Sequence, residues 1–167
     1  LRDLLIVAGI FAAEMAVYFL MTRASAWLIA QNVIPIPANI PDFVNPQTIW
    51  SQETIDAATG GLKGNWPIFI LSAVLLVINV VGEEFLWRGV VLPRQKLAFA
   101  TSTLMIHSVL WTLFHAYKYW DLLNLLPLSI GLTLAVLLLD NSSAGLLMHF
   151  ISNGSGLIPI LLGVLDK

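Results

Sequence analysis

The sequence contains no cysteine, which excludes disulfides, thiolate metal sites and a cysteine nucleophile. Charge is scarce as well, because Asp, Glu, Lys and Arg make up 11% of the 167 residues, against about a quarter in a typical soluble domain. With a formal net charge of -2, the chain lacks the concentrated basic surface that a nucleic-acid partner requires. The hydrophobic content of 58% therefore predicts a membrane protein.

A membrane-spanning helix needs about 20 mostly apolar residues, and five segments of the sequence meet that standard. They run from about Leu4 to Ala30, Trp66 to Leu92, Leu97 to Tyr117, Leu122 to Leu139 and Ser143 to Leu165. We therefore expect an all-α fold, a polytopic transmembrane bundle of about five helices. Such a chain would be an integral, multi-pass membrane protein.

A polar stretch, residues 31–65, separates the first two apolar segments. Its Pro-rich start cannot be helical throughout, whereas a short helix could follow Pro46. A tight link, PRQK, is expected after the second segment; it carries Arg94 and Lys96, with Arg88 just before it. The positive-inside rule places this link in the cytoplasm and residues 31–65 outside.

Two adjacent glutamates and an arginine lie inside the second apolar segment, in the sequence EEFLWR. Charges at the bilayer centre are costly, so those that are retained normally face the bundle interior and serve a function. Glu84 and Arg88 are four residues apart and can pair on one helix face. Glu83 points about 100° away and is left free to act as a general base. A purely structural Glu84–Arg88 pair that fixes helix packing is an equal alternative.

Histidines supply the second group of candidates. His149 and Asn153 are four residues apart, so they face one side of the last segment and could donate to an oxyanion or form an interhelical hydrogen bond. His115 lies near the end of the third segment and is a catalytic candidate, whereas His107, two turns earlier, is expected in the core. Helical rise brings these histidines and Glu83 to one depth range nearer the PRQK side, so we expect them to converge.

Three motifs, in this order on successive predicted helices, resemble a known family. EEFLWR has the pattern EExxxR, WTLFH has the pattern FxxxH with Trp111 in place of Phe, and HFISN has the pattern HxxxN. Together they are similar to the CPBP family of intramembrane proteases, which includes CAAX-type proteases, bacteriocin-processing (Abi) enzymes and the Ras-converting CAAX endopeptidase. The resemblance covers about residues 67–157, the family's catalytic four-helix core.

The resemblance implies an intramembrane endopeptidase of the glutamic type. Glu83, with His115, would activate a water molecule for attack on a peptide carbonyl. His149 and Asn153 would stabilise the tetrahedral oxyanion. The substrate would be a membrane-embedded or lipidated peptide or protein, reached within the lipid bilayer.

The resemblance also implies a supporting role for Glu84 and Arg88, which would hold the geometry and charge of the site. Zinc is the minority hypothesis, with Glu83, His115 and His149 as possible ligands, since catalytic zinc sites use such side chains. The spacing is not HExxH, and Glu84 is expected to pair with Arg88. We therefore predict a site without metal or other cofactor.

The chain is divided by this interpretation into three parts. Residues 1–30 form a first transmembrane helix, 31–65 an extracytoplasmic loop, and 66–167 a CPBP-like catalytic core. Short loops and small size favour a prokaryotic cytoplasmic membrane as its location. The alternatives are a non-catalytic membrane protein, such as a bacteriocin immunity factor or a proton-coupled transporter fragment, and a scaffold subunit whose polar cluster only locks the bundle. Glu14 and Arg23 in the first segment have no assigned role.

Overall fold

The computed structural model of the protein describes residues 1–40, 45–48 and 52–166. Within these ranges the chain forms α-helices joined by short connections and no β-strand, so the predicted all-α class is confirmed. The helices are α1 (Arg2–Ala30), α2 (Gln52–Thr59), α3 (Trp66–Glu84), α4 (Leu92–Phe99), α5 (Thr103–Phe114), α6 (Leu122–Leu139), α7 (Ser142–Gly154) and α8 (Leu157–Leu165).

Three helical runs in the described residues are long and apolar enough to cross a membrane: Arg2–Ala30, Trp66–Phe114 and Ala116–Leu139. Helices α7 and α8 are bent by 46° against each other and make a fourth span if they are counted as one. Large apolar side chains on the outward faces of these runs are exposed, which suits lipid and would be unusual in contact with water. The protein is therefore an integral membrane protein.

The run Trp66–Phe114 reverses direction at Ala100, whose φ of 46° breaks the helix. Gln95 Oε1 lies 2.6 Å from His107 Nδ1, although twelve residues of straight helix would separate them by about 18 Å. The predicted link at PRQK is therefore wrong, because these residues belong to α4 and the chain turns only after it. The predicted count of about five helices differs from the three or four spans because this folded run contains two of the predicted segments.

A π-helix, Phe85–Val91, joins α3 to α4. Proline at position 93 has no N–H to donate to the carbonyl of Gly89, and its ring would clash with that carbonyl in a regular α-helix. Widening of the turn before Pro93 relieves this clash. The widened segment follows Glu84 directly and contains Arg88, and π-helical turns are frequent at functional sites.

Helix α6 is central to the bundle, since α1, α5 and α7 all pack against it, while α3 packs on α7. The core between these helices buries Trp111, Leu132 and Met148 almost completely. A smaller apolar cluster joins α2 to α8, where Ile55 contacts the group around Val164.

Residues 31–65 hold the predicted short helix after Pro46, which is α2. Residues 41–44 and 49–51 of this predicted loop lie outside the described residues. The end of the loop is fastened to the C-terminal helix, because the Gly64 amide donates to the Val164 carbonyl at 3.0 Å. Its extracytoplasmic location stays a prediction.

Candidate active site

Glu84 and Arg88 form a buried ion pair at the junction of α3 and the π-helix. Arg88 Nη1 donates to Glu84 Oε1 at 2.9 Å, and the two side chains are 0% and 4% exposed, respectively. The spacing of four residues predicted this pair. The guanidinium carbon of Arg88 also lies 5.1 Å from the ring centre of Trp111, so the cation rests on an aromatic face.

His149 brings α7 into the same ion pair. Its Nδ1 lies 2.8 Å from Glu84 Oε1, and because a carboxylate oxygen only accepts, Nδ1–H donates. The other ring nitrogen, Nε2, then accepts from the amide nitrogen of Asn153 at 3.1 Å. Glu84 Oε1 thus accepts from Arg88 and from His149, a link that sequence reasoning missed because 65 residues separate the glutamate from the histidine.

Glu83 points away from that pair, yet it is not free as the sequence predicted. The side-chain amide of Asn79 donates to Glu83 Oε1 at 2.9 Å. Asn79 lies four residues earlier on the same helix face, so the i,i+4 spacing carried a signal for this contact. Among the described residues, Glu83 Oε2 is buried without a hydrogen-bond partner and faces His115.

His115 ends α5 and is oriented by its own helix. Its Nδ1 donates to the backbone carbonyl of Trp111 at 3.0 Å, because a carbonyl oxygen can only accept. In the neutral ring the lone pair is then on Nε2, which lies 3.9 Å from Glu83 Oε2. Two acceptors at this distance do not bond to each other, but a small molecule with two O–H groups could donate to both.

The ring of Trp111 contacts three of the polar side chains of the site. Its ring centre lies 4.4 Å from that of His115 and 6.0 Å from that of His149, and Arg88 stacks on it as well. The indole is buried. The aromatic position of the FxxxH motif therefore contacts all three side chains, which its spacing from His115 alone did not reveal.

The four predicted catalytic residues are thus brought together as two pairs near the Trp111 ring. Glu83 and His115 face each other in one pair, and His149 contacts Asn153 in the other. His107 is separate from this group: it is buried, contacts Gln95 at 2.6 Å and packs edge-on against Trp87. Its expected place in the core is confirmed.

The donor set does not fit a zinc ion. In the described part of the chain, no group of three or more His, Cys, Asp or Glu side chains is arranged to hold a metal. Of the possible ligands Glu83, His115 and His149, the last has both ring nitrogens engaged, with Glu84 and with Asn153. A zinc ion would need three side-chain donors directed at one point.

A bundle of membrane-spanning helices that gathers a carboxylate, two buried histidines and an exposed amide around one aromatic ring has the groups of an intramembrane protease. Residues 65–155, more than half of the chain, match the family model described as type II CAAX prenyl endopeptidase Rce1-like. The chain belongs to this family, the CAAX/CPBP intramembrane proteases. No curated protein and no solved structure matches it.

Family membership supports CAAX endopeptidase activity within a membrane, on a prenylated or membrane-associated peptide. All of the site residues described above lie inside the matched range. Helix α1 lies outside it.

Proposed function

We propose that the protein hydrolyses a peptide bond of a membrane-associated or lipidated substrate with a water molecule activated by Glu83 and His115. The observation that carries this proposal is the separation of 3.9 Å between Glu83 Oε2 and His115 Nε2. Both atoms are acceptors, and each side chain is oriented by a further bond, from Asn79 and to the Trp111 carbonyl respectively. A water molecule between them would donate one hydrogen to each and direct its oxygen lone pair outward.

The chemical step then follows from this orientation. Glu83 accepts a proton as the water oxygen forms a bond to the carbonyl carbon, and the carbonyl electron pair moves to its oxygen. The tetrahedral oxyanion collapses when the C–N bond breaks. The leaving nitrogen receives the proton that Glu83 took, which returns the carboxylate to its starting state.

Asn153 is the proposed donor to the oxyanion. Its amide nitrogen carries two hydrogens, of which one is directed to His149 Nε2, so the second is available. His149 gives its one N–H to Glu84, so we assign the oxyanion contact to Asn153 and the positioning of that amide to His149. A preorganised donor of this kind contributes about 3–4 kcal/mol to stabilisation of the transition state.

Glu84 and Arg88 support the site in this proposal without touching the substrate. Their ion pair holds the ring of His149 in place through Glu84. The guanidinium of Arg88 stacks on the indole of Trp111, which in turn packs against the ring of His115. We propose a metal-free reaction, because the donors do not converge on one point. Incubation with a chelator should therefore leave cleavage unchanged; inhibition that zinc reverses would refute this part.

Substitution of Glu83 tests the proposal directly. Glu83→Gln and Glu83→Ala should abolish cleavage of a lipidated or transmembrane reporter peptide in proteoliposomes, because neither side chain can accept the proton. The matched control is Glu53→Gln, on α2, which changes the same charge away from the site and should cleave normally. Circular dichroism and the thermal midpoint verify that each variant is folded. Cleavage by Glu83→Gln at the wild-type rate would refute the mechanism.

A further inference from the structure

A cavity of about 580 Å³ lies between α1 and α6. Its volume is in the range of small-molecule sites, which typically measure about 300–1,000 Å³ and are mostly apolar with a few polar groups. The wall that α1 supplies lies outside the family-matched residues 65–155. The catalytic proposal above does not use this cavity.

The cavity wall is almost entirely apolar and opens toward the bilayer. Apart from Glu14, the lining residues that the structure describes are all apolar: Gly9, Ile10, Ala13, Val17, Met21, Leu123, Leu126, Pro127, Ile130, Gly131 and Leu134. Gly9, Ala13 and Val17 on α1 and Leu123 on α6 are exposed on the outside of the bundle. A hydrophobic molecule can therefore enter sideways from the lipid.

Two small residues of α1 leave space beside α6. Gly9 and Ala13 are four residues apart and share a helix face. Small residues in such positions normally let membrane helices pack closely. Here, however, a Cβ atom built on Gly9 would meet no atom within 4 Å. Since apolar surfaces gain dispersion energy only from atoms in contact, an apolar chain bound in this space would be stabilised.

Glu14 is the polar residue of the cavity wall. It is 4% exposed, and neither carboxyl oxygen has a hydrogen-bond partner among the described residues. The carboxyl rests against Gly131 of α6, where an added Cβ atom would come within 2.9 Å of Glu14 Cδ. Burial without a partner favours the neutral form of a carboxyl group. A neutral carboxyl has one O–H donor and a carbonyl acceptor, so it is complementary to a hydroxyl group.

The depth of Glu14 limits the head group that a ligand can carry. Glu14 lies about 18 Å from Arg2 and about 24 Å from Ala30 along α1, which is deep within a hydrocarbon layer of about 30 Å. A charged head group would be costly at this depth. The lining continues from Glu14 to Met21, about 10 Å further along α1. These features fit a neutral head beside Glu14 and one apolar chain along the helices.

We propose that this cavity binds a neutral single-chain lipid that ends in a hydroxyl group and comes from the surrounding bilayer. The hydroxyl donates to one oxygen of Glu14 and accepts from the other, and the chain lies along the apolar residues of α1 and α6. This inference goes beyond the proposed function and does not depend on it, because binding is measured without cleavage.

Photolabelling of the protein in lipid nanodiscs tests the proposal. A long-chain alcohol that carries a diazirine in its chain should label α1 and α6, as mapped by mass spectrometry of peptides. Ala13→Leu, which adds bulk to the cavity wall, should lower the labelling by about tenfold or more. Ala12→Leu, the same change one residue earlier and outside the lining, should label like the wild type. Equal labelling of the two variants would overturn the proposal, because it would show nonspecific lipid contact only.

Competition experiments test recognition of the hydroxyl group. An unlabelled alcohol should displace the label about three- to tenfold better than the alkane of equal length, which corresponds to one hydrogen bond. Glu14→Leu should abolish this preference, whereas Glu14→Gln, whose amide both donates and accepts, should keep it. Equal competition by alcohol and alkane in the wild type would refute the assigned head group. Stronger competition by an alkyl ammonium ion would also refute it, since the ligand would then be a cation.

A lipidated reporter peptide identifies the remaining alternative. If it displaces the alcohol at the concentration at which it is cleaved, the cavity holds the lipid group of the substrate, and the proposal is overturned. The absence of displacement supports a separate site. If the wild-type protein cleaves no reporter, the proposed function fails, and the labelling results still decide this inference.

Thermal unfolding provides the folding control. Saturating alcohol should raise the thermal midpoint of the wild type and of Ala12→Leu, because a ligand that binds the folded state stabilises it, and should leave that of Ala13→Leu unchanged. Gly9→Leu, which fills the same cavity, replaces Ala13→Leu if that variant does not fold. An equal rise in the cavity-filling variant and in Ala12→Leu would contradict binding in the cavity.

Discussion

Glu83 and Glu84 are neighbours in the chain with opposite surroundings. Glu84 is held by two donors, Arg88 and His149, which reach the same carboxylate oxygen at 2.9 and 2.8 Å. Glu83 has one oxygen directed at His115 across 3.9 Å, without a direct bond. Each carboxyl group keeps one buried oxygen without a hydrogen-bond partner in the described residues, so the difference lies in their neighbours. Glu84 is held by a cation and an imidazole donor, whereas the unpartnered oxygen of Glu83 faces His115.

The difference follows from helix geometry. Successive residues are rotated by about 100°, so adjacent carboxylates on α3 face different helices. Glu84 is directed toward α7, which carries His149, and Glu83 toward the end of α5, which carries His115. Two adjacent glutamates on one helical turn can therefore have different roles, one as a structural charge and the other as a general base.

Replacing His115, the partner of the proposed general base Glu83, should have the largest effect on kcat. His115→Gln removes the imidazole acceptor that faces Glu83, so kcat should fall by about a hundred- to ten-thousand-fold, as general-base partners do. The thermal midpoint should stay close to wild type. His107→Gln, the matched control on α5, should affect stability and leave kcat within about twofold, because His107 lies outside the site. Equal kcat values for the two variants would contradict the assignment.

Replacing Glu84, the glutamate of the buried ion pair, should mainly lower stability. Glu84→Gln leaves Arg88 buried opposite a neutral amide, which should lower the free energy of unfolding by roughly 3–5 kcal/mol and also impair cleavage. Glu83→Gln should leave the thermal midpoint nearly unchanged, because its amide oxygen can still accept from Asn79. Thermal unfolding in detergent compares the two isosteric variants. The contrast between the two carboxyl groups fails if both variants unfold at the same temperature.

A smaller change displaces the Glu84 carboxylate without removing its charge, and so tests its structural role more finely. In Gly145→Ala the new methyl group would lie 2.8 Å from Val136 Cγ2 and 3.0 Å from Glu84 Oε2. Such overpacking typically costs about 1–3 kcal/mol, and the shifted carboxylate should lower kcat moderately. Gly154→Ala on the same helix meets its nearest neighbour at 3.7 Å and serves as the control. If both alanine variants behave alike, displacement of Glu84 is not the cause.

Local contacts of the site could be predicted from the sequence. The pair of Glu84 with Arg88 and the shared face of His149 with Asn153 both follow from a spacing of four residues on a helix. The apolar segments also predicted the helical bundle, since each was expected to span a bilayer by itself. The structure has three runs that are long and apolar enough, or four with the bent pair, among the residues it describes. The catalytic roles given to these residues remain predictions.

Contacts between helices could not be predicted, because they depend on how distant segments pack. The bond from His149 to Glu84 requires α7 to lie against α3, and no local pattern specifies that neighbour. The π-helix before Pro93 and the reversal at Ala100 also escaped prediction, since a continuous run of apolar residues gives no sign of where it bends. The bond from Asn79 to Glu83 was local and could have been found by the same spacing rule.

A second ion pair has the length of the buried one but lies at the surface. Lys96 Nζ donates to Asp140 Oδ1 at 2.9 Å, and the two side chains are 53% and 86% exposed. The hydrogen bond from Lys96 and its positive charge lower the pKa of Asp140. A carboxyl group whose pKa is lowered by folding stabilises the folded state above its unfolded pKa, and that contribution is lost as the pH falls through the folded pKa.

Asp140→Asn should therefore have the smallest effect of the series. Asparagine tolerates the left-handed backbone at this position, where φ is 49°, so the variant removes the charge and leaves the turn intact. Because water and salt screen an exposed pair, the thermal midpoint at neutral pH should hardly change, and the wild-type advantage should shrink further at acid pH and high salt. A loss at neutral pH as large as that of Glu84→Gln would contradict this expectation, because it would mean that pair length rather than burial determines how much an ion pair stabilises this bundle.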